Sequence, residues 1–166
     1  ELGLSTLVLV PRTADLLEIP LLAAGGIADG RGLLAALALG ADGVTIGTRL
    51  LVTEECPLHE DVKRALVAAG EQDTVPILGS LHNTLRAWKN AAALRVAEIE
   101  AEGGDMWQIL PLVAGTETRR MIEGGDVDAG VLACSQGIGL VDEIKPVAEV
   151  IEGMVREAEA IRGGLG

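Results

Sequence analysis

Ile19-Pro20-Leu21-Leu22-Ala23-Ala24-Gly25-Gly26-Ile27-Ala28-Asp29-Gly30 is the stretch that decides the fold. A short apolar run, opened by proline and closed by a glycine pair, has the length and boundaries of a buried parallel strand. Asp29 is placed to cap a helix, because its carboxylate can accept from the free amides of a first turn. Arg31 to Leu39 is dense in Ala and Leu, and Gly40 supplies the stop. Ala41-Asp42 then leads into Gly43-Val44-Thr45-Ile46-Gly47-Thr48, a second short strand. Strand, helix and strand over about thirty residues make a βαβ unit, and such units build parallel sheets.

Upstream, Ser5 to Leu17 has two readings. Leu7-Val8-Leu9-Val10 fits a strand, while Thr6 as a cap with Leu9, Ala14 and Leu17 inside fits a helix. A parallel strand at Pro20 needs a crossover before it, which favours the helix. Downstream, Leu58, Val62, Leu66 and Ala69 have helical spacing. Leu85, Trp88, Ala92, Val96 and Ile99 continue in steps of three and four as a second amphipathic helix. Val75-Pro76-Ile77-Leu78 between them reads as a short strand or an extended link. Thr116 to Glu123 is a third helix, capped by Thr116 and closed by Gly124-Gly125. Asp128 to Gln136 is extended, and Glu143 to Ile161 is a last helix with a stripe of Val147, Ile151, Met154, Ala158 and Ile161. Two parallel strands with one crossover leave open edges and cannot enclose a core alone, so this reading needs a partner piece.

The composition fits that picture. Of 166 residues, 49% are hydrophobic, yet there are two Trp and no Phe or Tyr, so the core is aliphatic. The net charge of −12 excludes the basic footprint of nucleic-acid binding and opposes docking on anionic membranes. Cys56 and Cys134 are far apart, no CxxC occurs, and His59 and His82 are the only histidines. A zinc site or disulfide framework is not expected. With Glu1-Leu2-Gly3-Leu4 in place of a basic leader and no long apolar run, the expected compartment is the cytoplasm.

Chemistry belongs at the two strand ends. Gly25-Gly26-Ile27 closes the first strand, and Gly47-Thr48 closes the second ahead of a helical turn at Arg49-Leu50-Leu51. Glycine lets a backbone approach a phosphate without a Cβ in the way. Amides at a helix start face outward with partial positive charge, and Thr48 adds a hydroxyl. Either turn alone is equally well a plain tight turn. As a pair after successive parallel strands, they match the phosphate site of (β/α)8 barrels.

The segment Pro20 to Gly32 resembles the nitronate monooxygenase family, and so does Ala36-Leu37-Ala38-Leu39-Gly40-Ala41-Asp42-Gly43-Val44 running into Gly47-Thr48-Arg49-Leu50. Thr53-Glu54-Glu55-Cys56-Pro57-Leu58-His59-Glu60, Gly125 to Val131 and Ser135-Gln136-Gly137 look like its continuation. The resemblance implies an α/β fold: residues 1–52 as the last strands and helices of an FMN-binding TIM-type (β/α)8 barrel, and 53–166 as a mostly helical C-terminal portion. It implies FMN held through its phosphate by Gly25, Gly26, Ile27, Gly47 and Thr48, and oxidation of alkyl nitronates with molecular oxygen. The family's G-G-H histidine has no counterpart here. This polypeptide is therefore expected to be a fragment without turnover of its own, the activity belonging to a parent protein. No residue is assigned a catalytic role, and the oligomeric state is left open.

Other residues invite blander readings. His59, three residues after Cys56, is a surface histidine at a helix start, and His82 is read the same way. Cys134-Ser135-Gln136-Gly137 returns toward the barrel on the resemblance, with Gln136 either facing the flavin or forming an ordinary turn. Trp88 belongs to an apolar helical stripe, and Glu54-Glu55 to the first turn of a helix. Two other functions compete. A flavin-dependent enoyl-ACP reductase shares the Ala23 to Gly30 segment and would use NAD(P)H, although Thr53 to Pro57 and the long tail fit the monooxygenase better. A non-catalytic truncated remnant is the reading of a different class.

Overall fold

The computed structural model of the chain describes residues 4–165. The opening Glu1-Leu2-Gly3, read above as lacking a basic leader, lies outside them. The upstream ambiguity resolves to a helix, α1 (Thr6–Ala14), with Ser5 rather than Thr6 at its N-cap position. The βαβ unit follows as β1 (Leu22–Ala24), α2 (Gly30–Ala38) and β2 (Gly43–Thr45). The two strands pair in parallel, with Leu22 opposite Gly43, Ala23 opposite Val44 and Ala24 opposite Thr45. Asp42 locks the start of this pairing, its carboxylate accepting from the Leu21 amide at 2.8 Å while its own amide donates to the Leu21 carbonyl. Asp29 caps α2 as expected, accepting from Gly32 N at 3.0 Å. Helix α3 (Thr48–Leu51) is the expected single turn after β2.

Helix α4 (Glu60–Val67) buries Val62 and Leu66 completely. Beyond it the helical reading of Leu85 to Ile99 fails at its first two members. Leu85 and Trp88 lie in a strand, β4 (Leu85–Trp88), which pairs antiparallel with β3 (Thr74–Ile77). The reason is local: Asn90 caps the following helix, α5 (Ala91–Ala101), by accepting from Ala93 N, so the helix cannot extend back to Trp88. Trp88 is core, as read, but from a strand. His82 is accordingly at the hairpin turn, with φ +53, and not at a helix start.

Helix α6 (Met106–Val113) went unread, although Asp105 and Gln108 form a reciprocal capping box at its start. Helix α7 (Gly115–Gly124) has Ala114 at its cap position, so Thr116 is inside the helix and caps nothing. Gly125 ends it at φ +73. The segment read as extended from Asp128 to Gln136 is a turn as far as Gly130 and extended only beyond it, where it runs beside β4: Trp88 N donates to Leu132 O, and Cys134 N donates to Arg86 O. A 3-10 turn, Gln136–Leu140, then leads to α8 (Val147–Gly164). Its buried stripe is Val150, Met154 and Ala158; Ile151 is exposed, and Val147 is half-buried. Glu54 and Glu55 are in a turn, not a helix, and the Glu55 carboxylate accepts from Val147 N at the start of α8.

Helix α8 returns to the beginning of the chain. Val150 and Met154 join Val10, Ala23, Ile27, Ala36 and Ala41 in one core beneath the βαβ unit. A Cβ on Gly30 would stand 2.5 Å from the Met154 carbonyl oxygen, so α2 and α8 meet backbone to backbone. A second core joins Val52, Leu58, Val62 and Leu66 to Met121, Cys134 and Ile138, and a third lies between the hairpin, α5 and α6. The other face of the βαβ unit is open. Leu7 is 70% exposed, Ile19 68% and Leu22 61%. These apolar side chains are thus exposed beside an unpaired strand edge. Among the described residues no helix is long and apolar enough to cross a membrane.

Candidate phosphate-binding site

The parallel register of β1 and β2 sends both glycine loops out at the same end of the sheet. The pairing ends at Ala24 opposite Thr45, and the chain leaves it through Gly25-Gly26 on one strand and Ile46-Gly47 on the other. Neighbouring strands lie roughly 4.8 Å apart. Gly25 and Gly26 take φ +104 and +73, a conformation that side chains rarely adopt. A Cβ on Gly25, Gly26 or Gly47 would meet nothing within 4 Å, so the backbone here borders open space. Among the described residues, the N–H groups of Gly26, Gly47 and Thr48 have no protein acceptor. Ile27 turns its side chain into the core, which leaves only its backbone to the loop.

The start of α2 does not contribute in the way its sequence suggests. Its amides are already used by the protein's own carboxylates, Asp29 accepting from Gly32 and Glu157 from Gly30 at 2.7 Å. Burial pushes the Asp29 pKa up, but bonding to Arg31 and Gly32 outweighs it and holds the carboxyl below its ordinary range. The free backbone donors are thus those of the Gly25–Ile27 loop ahead of the helix and of the Gly47-Thr48 loop. Arg49 is no reaching cation. It is buried, and its Nη1 donates to the Val52 carbonyl at 2.9 Å. Burial lowers its pKa against the opposing pull of Asp142 and Glu143.

The Cys134 to Gly137 segment reaches these loops. Ser135 N donates to Thr48 Oγ1 at 2.9 Å. A Cβ on Gly137 would stand 3.0 Å from the Gly26 carbonyl oxygen, so the two backbones touch. Gln136 turns elsewhere, its Nε2 reaching the Glu71 carbonyl at 3.5 Å. Cys134 is buried, and that burial pushes its thiol up to about 11, against a hydrogen bond with Thr48. A thiol so protonated is a poor nucleophile at neutral pH.

The histidines stay structural. His59 sits at the N-cap of α4, its Nδ1 accepting from Asp61 N at 3.2 Å, and its ring packs against Gly125. His82 is exposed at the hairpin turn. The sequence reading missed the Ser135 amide and Gly137 as neighbours of the loops; only the glycine in Ser135-Gln136-Gly137 hints at so close an approach.

Comparisons with known proteins agree with this architecture. The family model described as nitronate monooxygenase matches residues 1–157. A (3aS,4S,5R,7aS)-5-hydroxy-7a-methyl-1-oxo-octahydro-1H-indene-4-carboxyl-CoA dehydrogenase of Rhodococcus jostii (strain RHA1) is 34% identical over 93% of this chain and 54% of its own length. A probable nitronate monooxygenase of Staphylococcus haemolyticus (strain JCSC1435) is 46% identical over 43% of this chain and 20% of its own. The structure of FabK from Thermotoga maritima superposes with a TM-score of 0.90 at 37% identity, over 98% of this chain and 51% of that one. The chain thus spans about half the length of the long curated match and of the solved structure.

Proposed function

The chain belongs to the nitronate monooxygenase family, and from that membership we propose that it forms the phosphate-holding side of a flavin-dependent oxidoreductase barrel. Residues 1–52 supply strands and helices of the TIM-type barrel wall, and 53–166 form the mostly helical portion that braces it. The exposed face around Leu7, Ile19 and Leu22 packs against the rest of the barrel. Gly25, Gly26, Ile27, Gly47 and Thr48 hold the phosphate of FMN.

The observation that carries this reading is that the glycine loops leaving the same end of two paired parallel strands border open space, with the amides of Gly26, Gly47 and Thr48 free of protein acceptors among the described residues. These residues fit a phosphate: a Cβ-free cradle, several converging N–H donors and a hydroxyl. FMN bound there supplies the redox chemistry. The chain's residues supply its position. The loop amides offset the phosphate charge, Ile27 contributes through its backbone, and the Thr48 hydroxyl borders the phosphate.

The reaction we assign is oxidation of an alkyl nitronate with molecular oxygen, on the family match. A second reading is favoured by one observation: the curated match that spans 93% of the chain is named a dehydrogenase of a carboxyl-CoA substrate, whereas the nitronate monooxygenase match spans 43%. Under that reading, or the enoyl-ACP reductase one, a nicotinamide cofactor exchanges hydride with the flavin. Oxygen uptake with ethyl nitronate and NADH consumption, measured on the protein that carries these residues, separate the two. Nitronate-dependent uptake without NADH consumption supports the monooxygenase; rapid anaerobic flavin reduction by NADH overturns it.

A further inference from the structure

We propose that Ser135-Gln136-Gly137 is a positioning element for the phosphate cradle, so that cofactor affinity is set by a segment outside the barrel strands. The proposal rests on the phosphate reading of the two loops. Ser135 and Gly137 are two residues apart, and each engages a different loop. Ser135 N grips Thr48 through its hydroxyl, and Gly137 lies against the peptide of Gly26. Two residues span at most about 7 Å, so this short bracket fixes the spacing between the loops. The bracket is itself fixed from behind. Cys134 N donates to Arg86 O, and Trp88 N donates to Leu132 O, which registers the segment on the hairpin. Ile138, fully buried, anchors its far side.

The grip on Thr48 also has a chemical consequence. The hydroxyl accepts from Ser135 N and hydrogen-bonds Cys134 as well, so the Thr48 side chain is held in one orientation. Gly137 serves through the absence of a side chain, since a Cβ there would press on the carbonyl of Gly26. A displaced Gly26 moves its amide away from the open space it borders. Ser135 and Gly137 touch no phosphate; they act through Thr48 and Gly26.

The test compares FMN with riboflavin, which lacks the phosphate, by fluorescence titration of the full 166-residue chain. Variants are Gly137→Ala, Ser135→Pro and Ser135→Ala, each checked for folding by circular dichroism. Ser135→Pro deletes the N–H and sets a ring carbon against the Thr48 hydroxyl, while Ser135→Ala keeps the N–H. The expected result is a preference for FMN in the wild type that falls roughly tenfold or more in Gly137→Ala and Ser135→Pro, with riboflavin affinity unchanged and Ser135→Ala like wild type. General destabilisation would weaken both ligands together. If Gly137→Ala does not fold, Ser135→Pro decides. A wild type that prefers FMN, with folded Gly137→Ala or Ser135→Pro keeping that preference, overturns the positioning role alone. A folded wild type that binds FMN no better than riboflavin overturns the phosphate reading and this inference with it.

Discussion

The amide of Ser135 donates to the hydroxyl of Thr48 at 2.9 Å, across 87 residues of chain. That bond joins the loop after β2 to a segment registered on the distant hairpin. Helix α8 repeats the theme, since it buries Met154 and Val150 under the first βαβ unit. Residues 1–52 and 53–166 therefore share a core. The glycine loops owe their spacing to residues far beyond the strands that carry them.

Helices α2 and α8 meet most tightly at Gly30, where a Cβ would stand 2.5 Å from Met154 O and 2.6 Å from Ala158 N. Both neighbours are backbone, so α8 as a whole must move. Gly30→Ala is expected to cost about 1–3 kcal/mol, as overpacking does. A melting temperature several degrees below wild type checks this. An unchanged melting temperature would show that the α2–α8 contact yields easily.

Glu55 caps α8 from 92 residues earlier in the chain, both of its oxygens accepting from Val147 N at 2.9 and 3.1 Å. Glu55→Ala removes that acceptor and a negative charge at a helix start. The expected loss is about 0.5–2 kcal/mol. Urea unfolding should show a lower midpoint at unchanged slope. Equal midpoints would assign the carboxylate to solvent rather than to the helix.

Glu100 controls the hairpin turn. Its carboxylate accepts from Leu78 N at 2.7 Å, Ser80 N at 2.8 Å and Ser80 Oγ at 2.6 Å. Burial pushes its pKa up, but these bonds outweigh that and hold it below the ordinary 4.5. A lowered folded pKa means the unfolded chain binds the proton more tightly. The stabilisation is full above the ordinary value and is lost as pH falls through the folded one. Glu100→Gln should therefore destabilise the chain at pH 7, with the gap to wild type narrowing below about pH 4.5. Parallel urea curves at pH 7 and pH 3.5 measure that gap; a gap independent of pH would contradict the role of the charge.

Much of this was legible in the sequence where a signal was local. The proline, the glycine pair, the Asp29 cap and the Gly40 stop define one βαβ unit, and the structure has it. Trp88 shows where local reading fails. Its spacing to Ala92 and Val96 is helical, yet the Asn90 cap divides the run, and pairing with β3 decides the strand. The α8 stripe failed by a related route: Ile151 fits the period as well as Val150, and only packing on α2 selects the face. At the site, the glycine loops were readable because a glycine pair directly after a β-strand run marks a tight turn, as the positive φ of Gly25 and Gly26 bears out. The occupied start of α2 was not, since Glu157 arrives from 127 residues away. Ser135 was hidden for another reason: it acts through its backbone amide, which every residue but proline possesses.

The central claim is that the paired loops hold a flavin phosphate, and Gly47 tests it most directly. Its Cβ position borders open space and its φ of −112 suits any residue, so Gly47→Asp is expected to fold as wild type does. It places a carboxylate where the phosphate would sit. Titration of FMN into the folded chain, followed by flavin fluorescence and absorbance, should show saturable binding by wild type and none by Gly47→Asp. Equal binding by both would contradict the assignment of the site, as would a cooperatively folded wild type that binds no FMN.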